Sequence, residues 1–303
     1  MFEKRMIFNT TGPIKRATWG PMLPFLAIVF LVMGQIITLV PVFENGLIAE
    51  EDLTKYPNII YMLFAPFSVI ILLISLWVRF FEGRTLASIG VVFSRNSFRD
   101  YKIGYGYGLL MALIIVLGIW GLGGYRIESD ATFQTSDLIP LVILLFGFMV
   151  QSGAEEYLFR GWLFSRLAER YSVFVGIAVN AGIFVLMHLP GVDFANTSTL
   201  MLVLGVLMTI LFSVFLSLVV IKQKSIWGAA AWHAAWNWFF INGFGLATTG
   251  IELGLNPIIV DLEAIDTAPL WLSGGLDGPE GSFLTAIILA LGCVLVVKNK
   301  IFK

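Results

Sequence analysis

The 303 residues are 58% hydrophobic and only 13% charged, with a mean hydropathy of +0.89. Soluble domains carry about 25% charged residues, and a soluble fold of this composition would expose apolar patches that drive aggregation, so a water-soluble globular chain is excluded. A net charge of −1 excludes the basic field of a nucleic-acid-binding protein, and a single cysteine, Cys293, excludes an internal disulfide or a cysteine metal cluster.

A helix needs ~20 apolar residues to cross the hydrocarbon layer. Runs of this kind lie at roughly 21–43, 58–81, 103–125, 138–164, 172–190, 199–221, 225–249 and 282–298, the last being the shortest. The first run follows a polar leader and is too long for the apolar region of a cleaved signal peptide, so it reads as a membrane span. The expected fold is an all-α polytopic bundle of about eight transmembrane helices. In Gly104-Tyr105-Gly106-Tyr107-Gly108, at the start of the third run, small residues at helical spacing predict close packing against another helix.

Loop charge supports this division, because Lys and Arg concentrate on the cytoplasmic side. The leader (Lys4, Arg5, Lys15, Arg16), the second loop (Arg79, Arg84, Arg95, Arg99, Lys102), the fourth (Arg166, Arg170), the sixth (Lys222, Lys224) and the tail (Lys298, Lys300, Lys303) are basic. The first loop is acidic (Glu44, Glu50, Glu51, Asp52), as is the third (Glu128, Asp130, Asp137). The fifth carries only Asp193, and the seventh holds Glu252, Asp261, Glu263, Asp266, Asp277 and Glu280 without Lys or Arg. The alternation places both termini in the cytoplasm. It suggests an integral protein of a prokaryotic plasma membrane, with the lipid bilayer as its surroundings and no nucleic-acid partner. The second loop has room for a short interfacial helix. The seventh, rich in Gly and Pro, reads as irregular, dipping back to the membrane surface through Leu270, Trp271 and Leu272; Asp277 reads as a loop aspartate without an intramembrane partner.

Ionisable groups inside a span are expensive and mark function. They occur here in three places: Glu155-Glu156-xxx-Arg160 in the fourth run, Phe184-xxx-His188 closing the fifth, and His233-xxx-Asn237 in the seventh. Residues four apart share a helix face. Glu156 is therefore placed to pair with Arg160, while Glu155, ~100° round the helix, is left uncommitted. Each feature alone has a plainer explanation, such as a helix–helix hydrogen bond for a histidine or a structural ion pair for Glu156 and Arg160. Together they place a free carboxylate, two imidazoles and a carboxamide on three helices. That set suits hydrolysis, with a base to activate water and donors for an oxyanion.

These three motifs, in this order, resemble those of the CPBP (CAAX protease and bacteriocin-processing) family, which includes the Rce-type prenyl endopeptidases. The resemblance implies an intramembrane peptidase acting on a peptide or protein substrate. It implies Glu155 as general base working with His188, His233 and Asn237 as the oxyanion hole, and Glu156 and Arg160 as structural support. On this view the chain divides into a leader with three helices (1–125), a protease-like core of four (138–249) and an acidic outer loop with the last helix (250–303). No cofactor is expected. The alternatives are a zinc site built from Glu155, His188 and His233, and a non-catalytic immunity or scaffold protein of the same fold. A proton-coupled transporter would predict inverted repeats, and the sequence holds none. Because His188 lies near one end of its run and His233 near the other end of its own, the fourth and fifth helices are expected to protrude by about two turns to bring the three groups level.

Overall fold

The computed structural model describes residues 6–8, 15–128, 133–189, 192, 194–195, 197–248, 251, 253 and 255–302. Lys4, Arg5, Asp130, Asp193, Glu252 and Lys303, used above in the loop charges, lie outside them. Among the described residues eight long helices occupy the eight apolar runs: α1 (Met22–Glu44), α2 (Asn58–Leu76), α3 (Arg95–Gly121), α4 (Leu138–Glu156), α6 (Val173–His188), α7 (Thr199–Gln223), α8 (Trp227–Phe244) and α10 (Phe283–Val297). Serine hydroxyls start four of them. Ser94, Ser172, Ser198 and Ser282 accept from the Ser97, Val175, Met201 and Leu284 amides, which satisfies donors that a helix start leaves open.

Six helical segments are long and apolar enough to cross a membrane, and Val173–His188 is a shorter apolar helix. The protein is thus a polytopic all-α membrane protein. The eighth helix, α8, falls outside that set because His233, Asn237 and Asn242 dilute its hydropathy. It lies inside the bundle against α3 and α4, where its faces meet protein and not lipid. Gly104 and Gly108 make this approach possible. A β-carbon at Gly104 would come within 2.1 Å of the Gly228 carbonyl oxygen, and one at Gly108 within 2.6 Å of the Trp232 carbonyl oxygen. The glycine run therefore packs α3 backbone to backbone on the helix that carries the third motif.

The fourth run continues well past its expected end. From Glu156 the helix widens into a π-helical stretch (Tyr157–Phe164) and runs on as α5 (Ser165–Arg170). The uninterrupted helix Thr135–Arg170 has 36 residues, about 54 Å at 1.5 Å per residue, against a hydrocarbon layer of ~30 Å. Its far end is polar and buried. Arg166 donates to Glu82 at 2.8 and 3.0 Å and to Ser88, and Arg84 makes a two-pronged contact with Glu169 at 2.8 and 3.0 Å. The second loop therefore does not form a separate interfacial helix of any length. A short 3-10 turn (Leu86–Ile89) packs against the helix end, and α3 begins earlier than expected, at Arg95.

The loops gather by charge. At one end the Lys15 amide bonds the Glu82 carbonyl, the Ile226 amide reaches Gly90, Trp227 Nε1 donates to the Val92 carbonyl, and Lys222 bonds Asn299. These contacts join the leader, second loop, sixth loop and tail, all of them basic. At the other end β1 (Tyr125–Ile127) pairs antiparallel with β2 (Leu262–Ala264), joining the acidic third and seventh loops. Arg126 bonds Glu263 at 2.5 Å, an exposed pair in which the carboxylate pushes the guanidinium further up from its usual range.

The seventh loop is more ordered than its composition suggested. It contains β2, a short helix α9 (Leu270–Ser273) and a 3-10 stretch (Gly275–Gly281) leading into α10. Tyr125 Oη donates to the Ser273 carbonyl at 2.7 Å. Leu272 is buried, while Leu270 and Trp271 are exposed.

Candidate active site

The three motifs come together. Glu155, His188, His233 and Asn237 all line one cavity of about 710 Å³, walled by α2, α4, α6, α7 and α8 and bordered by the seventh loop. Its wall is largely apolar, including Leu63, Phe148 and Met201. Asp277, in the seventh loop, lies on this wall as well, because the loop folds back over the cavity. Glu280 accepts Trp236 Nε1–H at 2.8 Å, which fastens the loop to the motif helix α8.

The two glutamates separate as their spacing predicts. Glu156 and Arg160, both with fully buried side chains, pair at 2.9 Å across one helical turn. Arg160 also lies over the Phe184 ring, with Cζ 4.4 Å from its centroid, a cation–π contact that offsets part of the cost of burying the charge. Glu155 has no such partner. Its Oε1 accepts from Gln151 Nε2 at 2.6 Å, and its Oε2 lies 4.0 Å from His233 Nε2. The π-helical stretch begins immediately after this pair, and such widenings of a helix recur at functional sites.

The two histidines differ in what holds each ring. His188 Nδ1 lies 2.7 Å from the Phe184 carbonyl oxygen one turn back on α6. A carbonyl only accepts, so Nδ1 carries the proton and Nε2 is left as a free acceptor in the neutral ring. His233 Nδ1 instead lies 3.0 Å from Glu156 Oε1. A carboxylate accepts the Nδ1 proton there, so the ring is held from another helix by a charged group, with Nε2 on the side of Glu155. The ring of Phe212 joins the two sides, 4.8 Å from His233 and 5.8 Å from Phe184, which in turn is 4.5 Å from His188.

Three parts of this site escaped the sequence reading. The Glu156–His233 contact couples the supposed structural pair to the site, and nothing in the spacing within one helix could announce it. The capping by the seventh loop was masked by its Gly- and Pro-rich composition. Gln151 and Ser152 join α4 to α8, with Asn237 Nδ2 donating to Gln151 Oε1 at 3.1 Å and approaching Ser152 Oγ at 3.5 Å. Gln151 did carry a signal, since it lies four residues before Glu155 on the same face. For the zinc alternative, no group of three or more His, Cys, Asp or Glu side chains among the described residues is arranged to hold a metal ion.

Fold and cavity together define a class: a polytopic helical membrane protein whose cavity gathers carboxylate, histidine and carboxamide side chains. A family model described as "Type II CAAX prenyl endopeptidase Rce1-like" matches residues 137–239, about a third of the chain, and that segment holds all three motifs. This match supports a likeness of the segment 137–239 to the CPBP/CAAX protease family. No curated protein and no solved structure matches it.

Proposed function

We propose that this cavity is the active site of a metal-independent endopeptidase that cleaves a peptide or protein substrate at the membrane. The observation that carries the reading is the meeting of Glu155, His188, His233 and Asn237, from three helices, on the wall of one cavity. Glu155 is the general base, because it is the carboxylate of the pair without an arginine. His188, with Nε2 free, shares the water. As the hydroxide attacks the scissile carbonyl, negative charge grows on its oxygen. Asn237 Nδ2–H and the His233 ring are the groups that meet it, with Glu156 holding the ring in place through Nδ1. The proton taken by Glu155 then passes to the leaving amine. His233 Nδ1 is committed to Glu156 and Glu155 Oε1 to Gln151, an arrangement suited to donors and a base and ill suited to three metal ligands.

The family description makes a prenylated peptide ending in a CAAX sequence the first substrate to try. The protein reconstituted in liposomes is incubated with a peptide ending in S-farnesyl cysteine and three further residues, and products are identified by mass spectrometry. Cleavage by the wild-type protein, retained after chelation and absent in Glu155→Gln, is the expected result. Activity lost with a chelator and regained with zinc would overturn the metal-free mechanism. A folded wild-type protein that leaves prenylated and unprenylated peptides intact would favour the non-catalytic reading. The loop charges support a prokaryotic plasma-membrane protein with both termini cytoplasmic. Labelling of a cysteine at position 263 from the cytoplasmic side, with Cys293 replaced by alanine, would contradict that orientation.

A further inference from the structure

We infer that Gln151 is a positioning residue that fixes the general base and the oxyanion donor with one carboxamide; the inference rests on the peptidase reading above. Gln151 lines the cavity one helical turn before Glu155. Its Nε2 donates to Glu155 Oε1 at 2.6 Å. Its Oε1 accepts from Asn237 Nδ2 at 3.1 Å and from Ser152 Oγ at 2.9 Å. A carboxamide is costly in an apolar helix unless its groups are met by partners, and here both ends are met, by the two side chains that the chemistry requires to be still.

The arrangement has a single sense. Two donors converge on Oε1, which uses both of its lone pairs. Turning the amide over would set its NH₂ against the NH₂ of Asn237 and its oxygen against the Glu155 carboxylate, two repulsive contacts in place of two attractive ones. Ser152, the second of these donors, is fully buried and holds the oxygen in place. Two consequences follow for the reaction. Glu155 Oε1 is held by Gln151, so Oε2, on the side of His233, is the oxygen left to take a proton from water. Asn237 Nδ2 donates to Gln151 Oε1 at 3.1 Å and approaches Ser152 Oγ at 3.5 Å, so its amide orientation is fixed for the oxyanion. Gln151 thereby couples groups on α4 and α8 that the motifs treat as separate. A hydrocarbon side chain of the same length would fill the space without setting either orientation.

The test compares Gln151→Met, Gln151→Glu and Glu155→Gln in liposomes, with the farnesylated peptide as probe and with thermal melting as the measure of folding. Gln151→Met keeps shape and loses all three hydrogen bonds. Its kcat should fall by ~10²-fold, the size of effect produced by misplacing reacting groups by about 1 Å, with KM unchanged. The acidic limb of its pH–rate profile should move to higher pH, because the carboxylate loses an N–H donor that favours its charged form. Gln151→Glu, nearly isosteric, keeps the test alive if the methionine variant does not fold. It sets a second carboxylate beside the first and should move the acidic limb further in the same direction. Wild-type kcat and an unmoved profile in either folded variant would overturn the inference. So would a raised KM at unchanged kcat, which would make Gln151 a substrate contact. Glu155→Gln separates the two levels of the argument. If it is inactive while Gln151→Met behaves as wild type, only the role of Gln151 fails. If Glu155→Gln cleaves at the wild-type rate, the assignment of Glu155 as general base fails and this inference with it.

Discussion

Two regions of the long helix Thr135–Arg170 bury charge, and they do so differently. Near Arg170, Arg166 meets Glu82 through both Nε and Nη2 and Ser88 through two further contacts. Glu82 also accepts from Thr18 and Trp162. Cations and anions alternate there, with Arg84 on Glu169 completing the set and, among the described residues of the cluster, Arg84 Nε alone left without a partner, and no residue of the cluster lines the cavity. One turn and more toward the helix start, around Glu155 and Glu156, the pairing is incomplete. Among the described residues, Glu156 Oε2 and Arg160 Nε and Nη2 have no hydrogen-bond partner, and Glu155 faces the cavity without a cation of its own kind of pairing. A buried cluster whose polar groups are nearly all matched fastens structure. One that leaves a carboxylate facing a cavity, next to two histidines held in different ways, is arranged for chemistry.

The comparison can be broken by exchanging the effects of mutations in the two regions. Glu155→Gln keeps shape and removes the proton acceptor, so peptide turnover should fall by ~10²–10⁴-fold with the melting transition unmoved. A loss of stability comparable to the loss of turnover would make Glu155 structural. Glu156→Gln should damage both, because it strands Arg160 in a fully buried position and takes the charge from beside His233 Nδ1. Breaking a buried pair costs about 3–5 kcal/mol, and a thermal or denaturant melt measures it; a variant with normal stability and normal turnover would refute both of the contacts assigned to Glu156. Arg166→Met should cost a similar ~3–5 kcal/mol by stranding Glu82, yet leave turnover per folded molecule near wild type. Reduced turnover in the folded fraction would tie the outer cluster to the site. Gly108→Ala sharpens the comparison from the other side, since its methyl would press on the Trp232 carbonyl next to His233. Overpacking of this kind costs about 1–3 kcal/mol, and a modest drop in turnover should accompany it. No change in either quantity would show that α3 and α8 have room to separate.

Much of this was legible in the sequence, and the residues show why. Apolar runs gave the helices because lipid leaves few choices of spanning structure, and the i, i+4 motifs gave the inward faces of α4, α6 and α8. The protrusion of the fourth helix was expected, but what anchors its end at Arg166 and Glu169 was hidden. Their partners, Glu82 and Arg84, stand more than 80 residues away. The order of the seventh loop was hidden for the same reason. Tyr125 and Ser273, which tie it down, are 148 residues apart. Charge alternation foretold which loops would gather at each end, as the pairing of 125–127 with 262–264 illustrates. The division of roles between His188 and His233 was beyond spacing, because it depends on whether a carbonyl or a carboxylate meets each Nδ1.

The most direct test of the central claim is to measure peptide turnover per folded molecule for Glu155→Gln and Arg166→Met side by side, in the same liposomes and with the folded fraction determined for each. The account predicts a crossed result: Glu155→Gln folded and inactive, Arg166→Met less stable and active. Two variants that lose turnover only in proportion to their loss of folded protein would contradict it, and Glu155 would then have no part in the chemistry.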